Sequence, residues 1–297
     1  MRPDDLLELA RQGDLDALGD VRPAVEEAVG DFVKGGDSLS ALELFGRAWR
    51  IWLTSGALDA GRDAAAAALA VPAGDDSSVW RARTLCGDGV LAFRSGDNDR
   101  SLLRNEEALR VARAAGDVRG QCEALTGLAR LALRDGRYED VAALADQGCE
   151  IARSANDREA EASPLHLQAA GVRLQGRYSD ARELYLQSFA LNQELENRAW
   201  QTMELDCLGW VELHLGDIDS AEARFRERDS RIGADPYASA WSRLSWAAVA
   251  AARGEGDAAR RRYDDAIKDL RSLTNELDPD DEAELRWLND RLVAIGA

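Results

Sequence analysis

Asp135-Gly136-Arg137-Tyr138-Glu139-Asp140-Val141 recurs along the chain. Forty residues later stands Gln175-Gly176-Arg177-Tyr178-Ser179-Asp180-Ala181, and forty further on Leu215-Gly216-Asp217-Ile218-Asp219-Ser220-Ala221. Ser55-Gly56-Ala57-Leu58-Asp59 and Ser95-Gly96-Asp97-Asn98-Asp99 are the upstream copies, and Gly254-Glu255-Gly256-Asp257-Ala258-Ala259 the downstream one. The turn glycines at 56, 96, 136, 176, 216 and 254 are spaced by 40, 40, 40, 40 and 38 residues. A fixed period of this size marks a stacked repeat, one hairpin of structure per period. It predicts one elongated body rather than two ordinary domains in the 297 residues.

Composition fits helices. Only 6 prolines interrupt a chain rich in Ala, Leu, Arg, Glu and Asp, and 45% of residues are apolar, enough for a continuous core. No apolar run approaches the ~20 residues of a membrane span. Met1-Arg2-Pro3-Asp4-Asp5 has no apolar signal-peptide core, so a cytoplasmic location is expected and no membrane contact. A net charge of −18 argues against nucleic-acid binding, which needs a clustered positive surface, and suits a monomer or small homo-oligomer. Cys86, Cys122, Cys149 and Cys207 lie far apart inside helical patterns and read as reduced structural thiols.

The period predicts a pair of helices per unit, joined at the glycine. First helices are expected at 39–54, 79–94, 119–135, 159–175, 199–215 and 237–253, second helices at 58–71, 98–115, 138–155, 178–196, 218–232 and 257–273. A helix ending at a left-handed residue favours glycine there, and a following Asp, Asn or Ser caps the next helix. Residues 1–37 form an imperfect starting repeat that caps one end, with helices at 4–10 and 23–33 and a degenerate turn at Gly13-Asp14-Leu15-Asp16-Ala17. The solenoid proper spans 38–276. From 277 to 297 a capping helix is expected, with Asp278 and Pro279 at its start, acid in its first turn, and Leu285, Leu288, Leu292 and Ile295 sealing the last repeat. The breaks around Pro72 and Pro236 are the places for irregular packing.

Leu208-Gly209, Gly216, Ile218, Ala221 and Phe225, with Gly176-Arg177-Tyr178, Ala181 and Tyr185, and Ala259, Tyr263 and Ala266, resemble the tetratricopeptide (TPR) repeats. The units at Gly56 and Gly96 depart from that pattern, with Trp49, Trp52 and Asp88 where small or aromatic residues are usual. The longer period resembles the arrays of bacterial signal-transduction ATPases, their transcription regulators and kinesin light chains. The resemblance covers roughly residues 38–275. It implies an all-α, right-handed superhelix of about six helical hairpins with capping helices, and a concave groove that binds a partner. It does not imply a reaction.

Chemistry-bearing motifs are scarce. There is no G-x-x-x-x-G-K-[ST] loop and no nucleophile elbow. His166 and His214 fall eight residues apart in repeat register, about 12 Å along a helix axis, too far to share a metal. No enzyme, metal or cofactor is therefore expected. Aligning the turn glycines, the TPR resemblance places Arg50, Arg83, Phe93, Arg94, Arg130, Arg134, His166, Arg173, Trp210, His214 and Trp241 on the groove. Six arginines there face three acids, Glu43, Glu123 and Asp206, a local reversal of sign in an acidic chain. Guanidinium forks suit carboxylates or phosphates, so the groove is expected to take a partly acidic segment of another protein or peptide. Trp210 and Trp241 would supply an apolar anchor. A sensor for a small anionic signal molecule is the alternative, and so is internal pairing of the arginines with the chain's own acids.

Overall fold

The computed structural model describes residues 1–13, 21–72, 74, 78–233, 235–273, 277 and 279–296. Of the expected features, residues 14–17 of the degenerate turn, residues 73, 75, 76 and 234 of the proline breaks, and Asp278 lie outside the described residues. Sixteen helices and no strand occur among those described. In chain order they are α1 (Pro3–Gln12), α2 (Arg22–Lys34), α3 (Ser38–Ala48), α4 (Arg50–Ser55), α5 (Leu58–Ala70), α6 (Ser78–Arg94), α7 (Asn98–Ala115) and α8 (Val118–Arg134). There follow α9 (Tyr138–Ser154), α10 (Arg158–Leu174), α11 (Tyr178–Glu194), α12 (Arg198–Leu215), α13 (Ile218–Asp229), α14 (Pro236–Ala252), α15 (Gly256–Leu273) and α16 (Pro279–Ala294). The chain is all-α and built of helical hairpins.

The left-handed glycines are as the sequence implies, while the expected side-chain cap is missing at the start of α5, after Ala57, and of α11, after Arg177. Gly56, Gly96, Gly136, Gly176, Gly216 and Gly254 all have φ between 70° and 81°, a conformation that side chains with a Cβ resist. At Gly216 the next amide, that of Asp217, donates back to Glu212 O at 2.9 Å, and the Asp217 carboxylate accepts from Ser220 N at 3.1 Å. One residue thus closes α12 and opens α13; Asp97 does the same between α6 and α7. A second set of left-handed turns, between hairpins, falls at Gly116, Asn156 and Glu196, with φ of 67°, 56° and 53°.

Two compact units divide the chain, one of residues 1–131 with 147–160, the other of 132–146 with 161–297. In the first unit the core joins Leu6, Val25, Val29, Phe32, Leu42, Phe45 and Trp52, all buried. The helix expected at 39–54 divides there at Trp49, whose backbone stays right-handed helical, into α3 and α4. Trp52 N donates to Trp49 O, a three-residue step that tightens the turn. The cause is bulk. Trp49 lies against Gly87, and Trp52 against Gly61, each so close that an added Cβ would stand 2.8 Å from the indole. Both tryptophans occupy positions where the other hairpins carry smaller residues.

In the second unit the core runs through Tyr185, Leu208, Val211, Phe225, Leu244, Leu270, Leu288 and Leu292. Phe225 from α13 sits over Gly209 of α12, where a Cβ would be 2.3 Å from the ring. That contact explains the small residue in the first helix and the aromatic in the second: one fills the space the other leaves. No described helix is long and apolar enough to cross a membrane.

Candidate binding groove

The groove residues expected from the repeat register fall into two sets, one in each unit. In the first unit Arg50 is exposed, its guanidinium 4.4 Å over the Trp49 ring. Arg83 grips the Asp117 carboxylate with two bonds of 2.7 and 2.6 Å and approaches Glu123 at 3.5 Å. Phe93 and Arg130 are half-buried, and Arg94 is exposed at the end of α6. Burial, offset in part by Arg83 and Arg50, pushes the Glu123 carboxyl above its ordinary pKa.

The second unit holds Arg134, His166, Arg173, Trp210, His214 and Trp241. Arg134 is half-buried at the end of α8. His166 Nδ1 lies 3.0 Å from Glu204 Oε1, whose carboxylate is fully buried and also accepts from Ser188 Oγ at 2.7 Å. Trp200 meets the His166 ring edge-on, with centroids 5.2 Å apart. Trp241 donates from Nε1 to Asp206 at 3.0 Å, and Arg228 bonds the other oxygen of that carboxylate. The histidines therefore serve separate carboxylates. Among the described residues no group of three His, Cys, Asp or Glu side chains is placed to hold a metal ion.

Arg173 and His214 are brought together by a residue the sequence reading assigned only to a helix end. Glu284 of α16 is 3% exposed; its Oε1 bonds Arg173 Nη1 and its Oε2 lies 2.7 Å from His214 Nε2. Asp280, one turn earlier, reaches Arg173 Nη2 at 3.4 Å. Trp287 covers the site: its ring is 5.0 Å from His214 and perpendicular to Trp210 at 6.2 Å. Tyr178 stacks on His214 at 4.2 Å, and burial, aided by Glu284, pushes its phenol above the ordinary range. Tyr237 donates to Asp281 at 2.6 Å. The expected sealing role of α16 is also present, with Leu288 and Leu292 fully buried and Leu285 and Ile295 packed against the same core.

Arg173 and His214 converge on the Glu284 carboxylate beside the rings of Tyr178, Trp210 and Trp287, and a guanidinium fork is chemically suited to a carboxylate. Burial pushes the Cys86 and Cys207 thiols well up and Cys122 to about 11, so thiolate at these three residues is scarce at neutral pH. The overlooked signal was spacing, since Asp280, Glu284 and Trp287 share one helix face.

No protein-family model matches the chain, and no curated protein matches it. Solved structures do. The apo form of RapI has a TM-score of 0.67 to it at 12% identity, covering 91% of this chain and 98% of that one. A Rap protein complexed with competence and sporulation factor has a TM-score of 0.62 at 13% identity, covering 96% and 78%. A tetratricopeptide repeat protein from Parabacteroides merdae follows at 0.51 and 15%, covering 94% and 100%. At such identities the likeness speaks for architecture alone, and with the 40-residue hairpin period and its glycine turns, this chain carries the tetratricopeptide-repeat fold.

Proposed function

We propose that the chain is a non-catalytic interaction module that takes a partly acidic segment of another protein or peptide in its groove. The observation that supports it is the seating of Asp280 and Glu284 on Arg173 and His214. Side chains placed on the groove by repeat register hold carboxylates there, with Trp210 beside them. A Rap protein of the same fold has been solved complexed with competence and sporulation factor, which fits use of this scaffold for binding. The module would work in the cytoplasm as a monomer or small homo-oligomer. It would need no cofactor, as expected of a bacterial signalling scaffold.

A sensor of a small anion is the second reading. It draws on the buried Tyr185 hydroxyl, a donor with no hydrogen-bond partner among the described residues.

The test is a fluorescence-polarisation titration of a labelled peptide rich in Glu with one Trp, against a Lys-for-Glu control. The acidic peptide should bind and the control should not. Arg94→Glu combined with Arg130→Glu should weaken binding at least tenfold, the loss of one or two charge-assisted contacts. Equal affinity for both peptides, or full affinity in the folded double variant, would end the proposal. Calorimetric binding of inorganic phosphate without peptide binding would favour the sensor.

A further inference from the structure

From the Arg173–His214 site we infer the chemistry of the partner segment that docks there. The site is a receptor for a partner protein's acidic amphipathic helix, with two carboxylates one turn apart and an indole three residues on. Helix α16 is a resident copy of that ligand, which the partner helix must displace. The inference rests on the reading of the chain as an interaction module and specifies its ligand.

Residues 280, 284 and 287 lie within roughly 60° of arc on a helix turning 100° per residue, so one face presents all three side chains. Each meets a dedicated counterpart. Asp280 and Glu284 share Arg173, Glu284 also engages His214, and Trp287 closes over His214 and Trp210. An extended strand would space alternate side chains differently, and a basic helix would set like charges against a guanidinium that is 4% exposed.

Even with α16 seated the fit is incomplete. Arg173 Nε and Trp210 Nε1 are buried donors with no hydrogen-bond partner among the described residues, and Trp210 itself is 1% exposed. A buried donor left unmatched weakens the complex that leaves it so. A foreign helix carrying an acceptor at either point would gain what α16 forgoes, and that difference is what shifts occupancy from one helix to the other. The tether supplies the counterweight, because a covalently attached helix acts at an effective concentration of order millimolar. Weak or ill-matched helices are thereby excluded.

The experiment uses the full chain and one probe, a fluorescein-labelled synthetic peptide of this chain's residues 279–295. Glu284→Gln with Trp287→Ala weakens the resident helix while keeping Leu288 and Leu292, which fill the core. The double variant should bind the probe at least tenfold more tightly than the native chain does. A probe with the same two changes should bind neither. Hydrogen exchange on the native chain should show α16 amides opening faster than those of α14, and faster still with probe added. Equal probe affinity in native and variant chains, or α16 protection equal to that of α14, would overturn the inference. Should the double variant not fold, Glu284→Gln alone and the native exchange data decide. A native dimer in light scattering that Glu284→Gln abolishes would make a second copy the occupant, and would equally overturn it. Acidic-peptide binding with α16 fully protected would sink this inference and leave the interaction module standing.

Discussion

Glu196 takes a φ of 53° at the turn between α11 and α12, where Gly116 stands at the equivalent turn two periods earlier. A residue with a Cβ is strained there by about 1–2 kcal/mol, while glycine forfeits about 0.4–1 kcal/mol through the freedom it gains when unfolded. Glu196→Gly should therefore raise stability by roughly 0.5–1 kcal/mol, read as an upward shift in the urea midpoint. An unchanged or lower midpoint would mean that the exposed Glu196 side chain contributes as much as its backbone strains. The hairpin glycines were legible in the sequence because glycine is the usual answer to a left-handed turn. Glu196 was not, since nothing in a glutamate announces a positive φ, whereas asparagine, as at Asn156, tolerates one; only the period places Glu196 opposite Gly116. The same holds for Trp49 and Trp52, recognisable as oversized but not as packed on glycines, because the glycines that admit them, Gly87 and Gly61, stand on other helices.

At the scale of helices, buried charge decides how neighbours hold together. Asp88 departs from the repeat pattern and is fully buried on α6, where it accepts from Arg100 at 2.8 Å and Arg104 at 2.7 Å, both on α7. Removing one member of a buried pair typically costs about 3–5 kcal/mol, and these arginines, about a quarter exposed, recover part of that in water. Asp88→Ala should thus destabilise by about 2–3 kcal/mol, whereas Asp99→Ala on the exposed side of α7 should stay within about 0.5 kcal/mol; parity of the two in denaturant melts would refute the clamp. A second clamp ties α1 to α3. Bonds from Arg11 at 3.0 and 2.8 Å, then from Arg47, hold the Glu43 carboxyl below its usual pKa. A carboxylate depressed in the folded state stabilises above its unfolded pKa, near 4.3, and that stability is lost as pH falls through the folded value. The melting temperature should drop below pH ~4, less steeply in Glu43→Gln; parallel profiles for both chains would show that the pair is spectator charge. Helix positions themselves were readable to within a few residues from periodicity and turns. Their ion pairs were not, because an Asp on one helix does not reveal which of many arginines it meets.

For the molecule as a whole, the decisive feature is where its C-terminal helix goes. The apolar stripe of Leu285, Leu288, Leu292 and Ile295 was enough to place α16 on the last hairpin, and the structure has it there. Its acidic residues suggested only a favourable helix dipole. The contact that matters joins Glu284 to Arg173, 111 positions away, and to His214, 70 positions away, distances over which no local pattern speaks. In a chain of net charge −18, Arg173 and His214 sit in an aromatic-walled site that an internal carboxylate already fills. Hydrogen exchange at α16 while the native chain is titrated with the peptide of residues 279–295 tests the central claim most directly. The account predicts faster exchange across α16 as peptide is added, with α10 and α12 remaining protected. Exchange at α16 that stays unchanged at saturating peptide would contradict it.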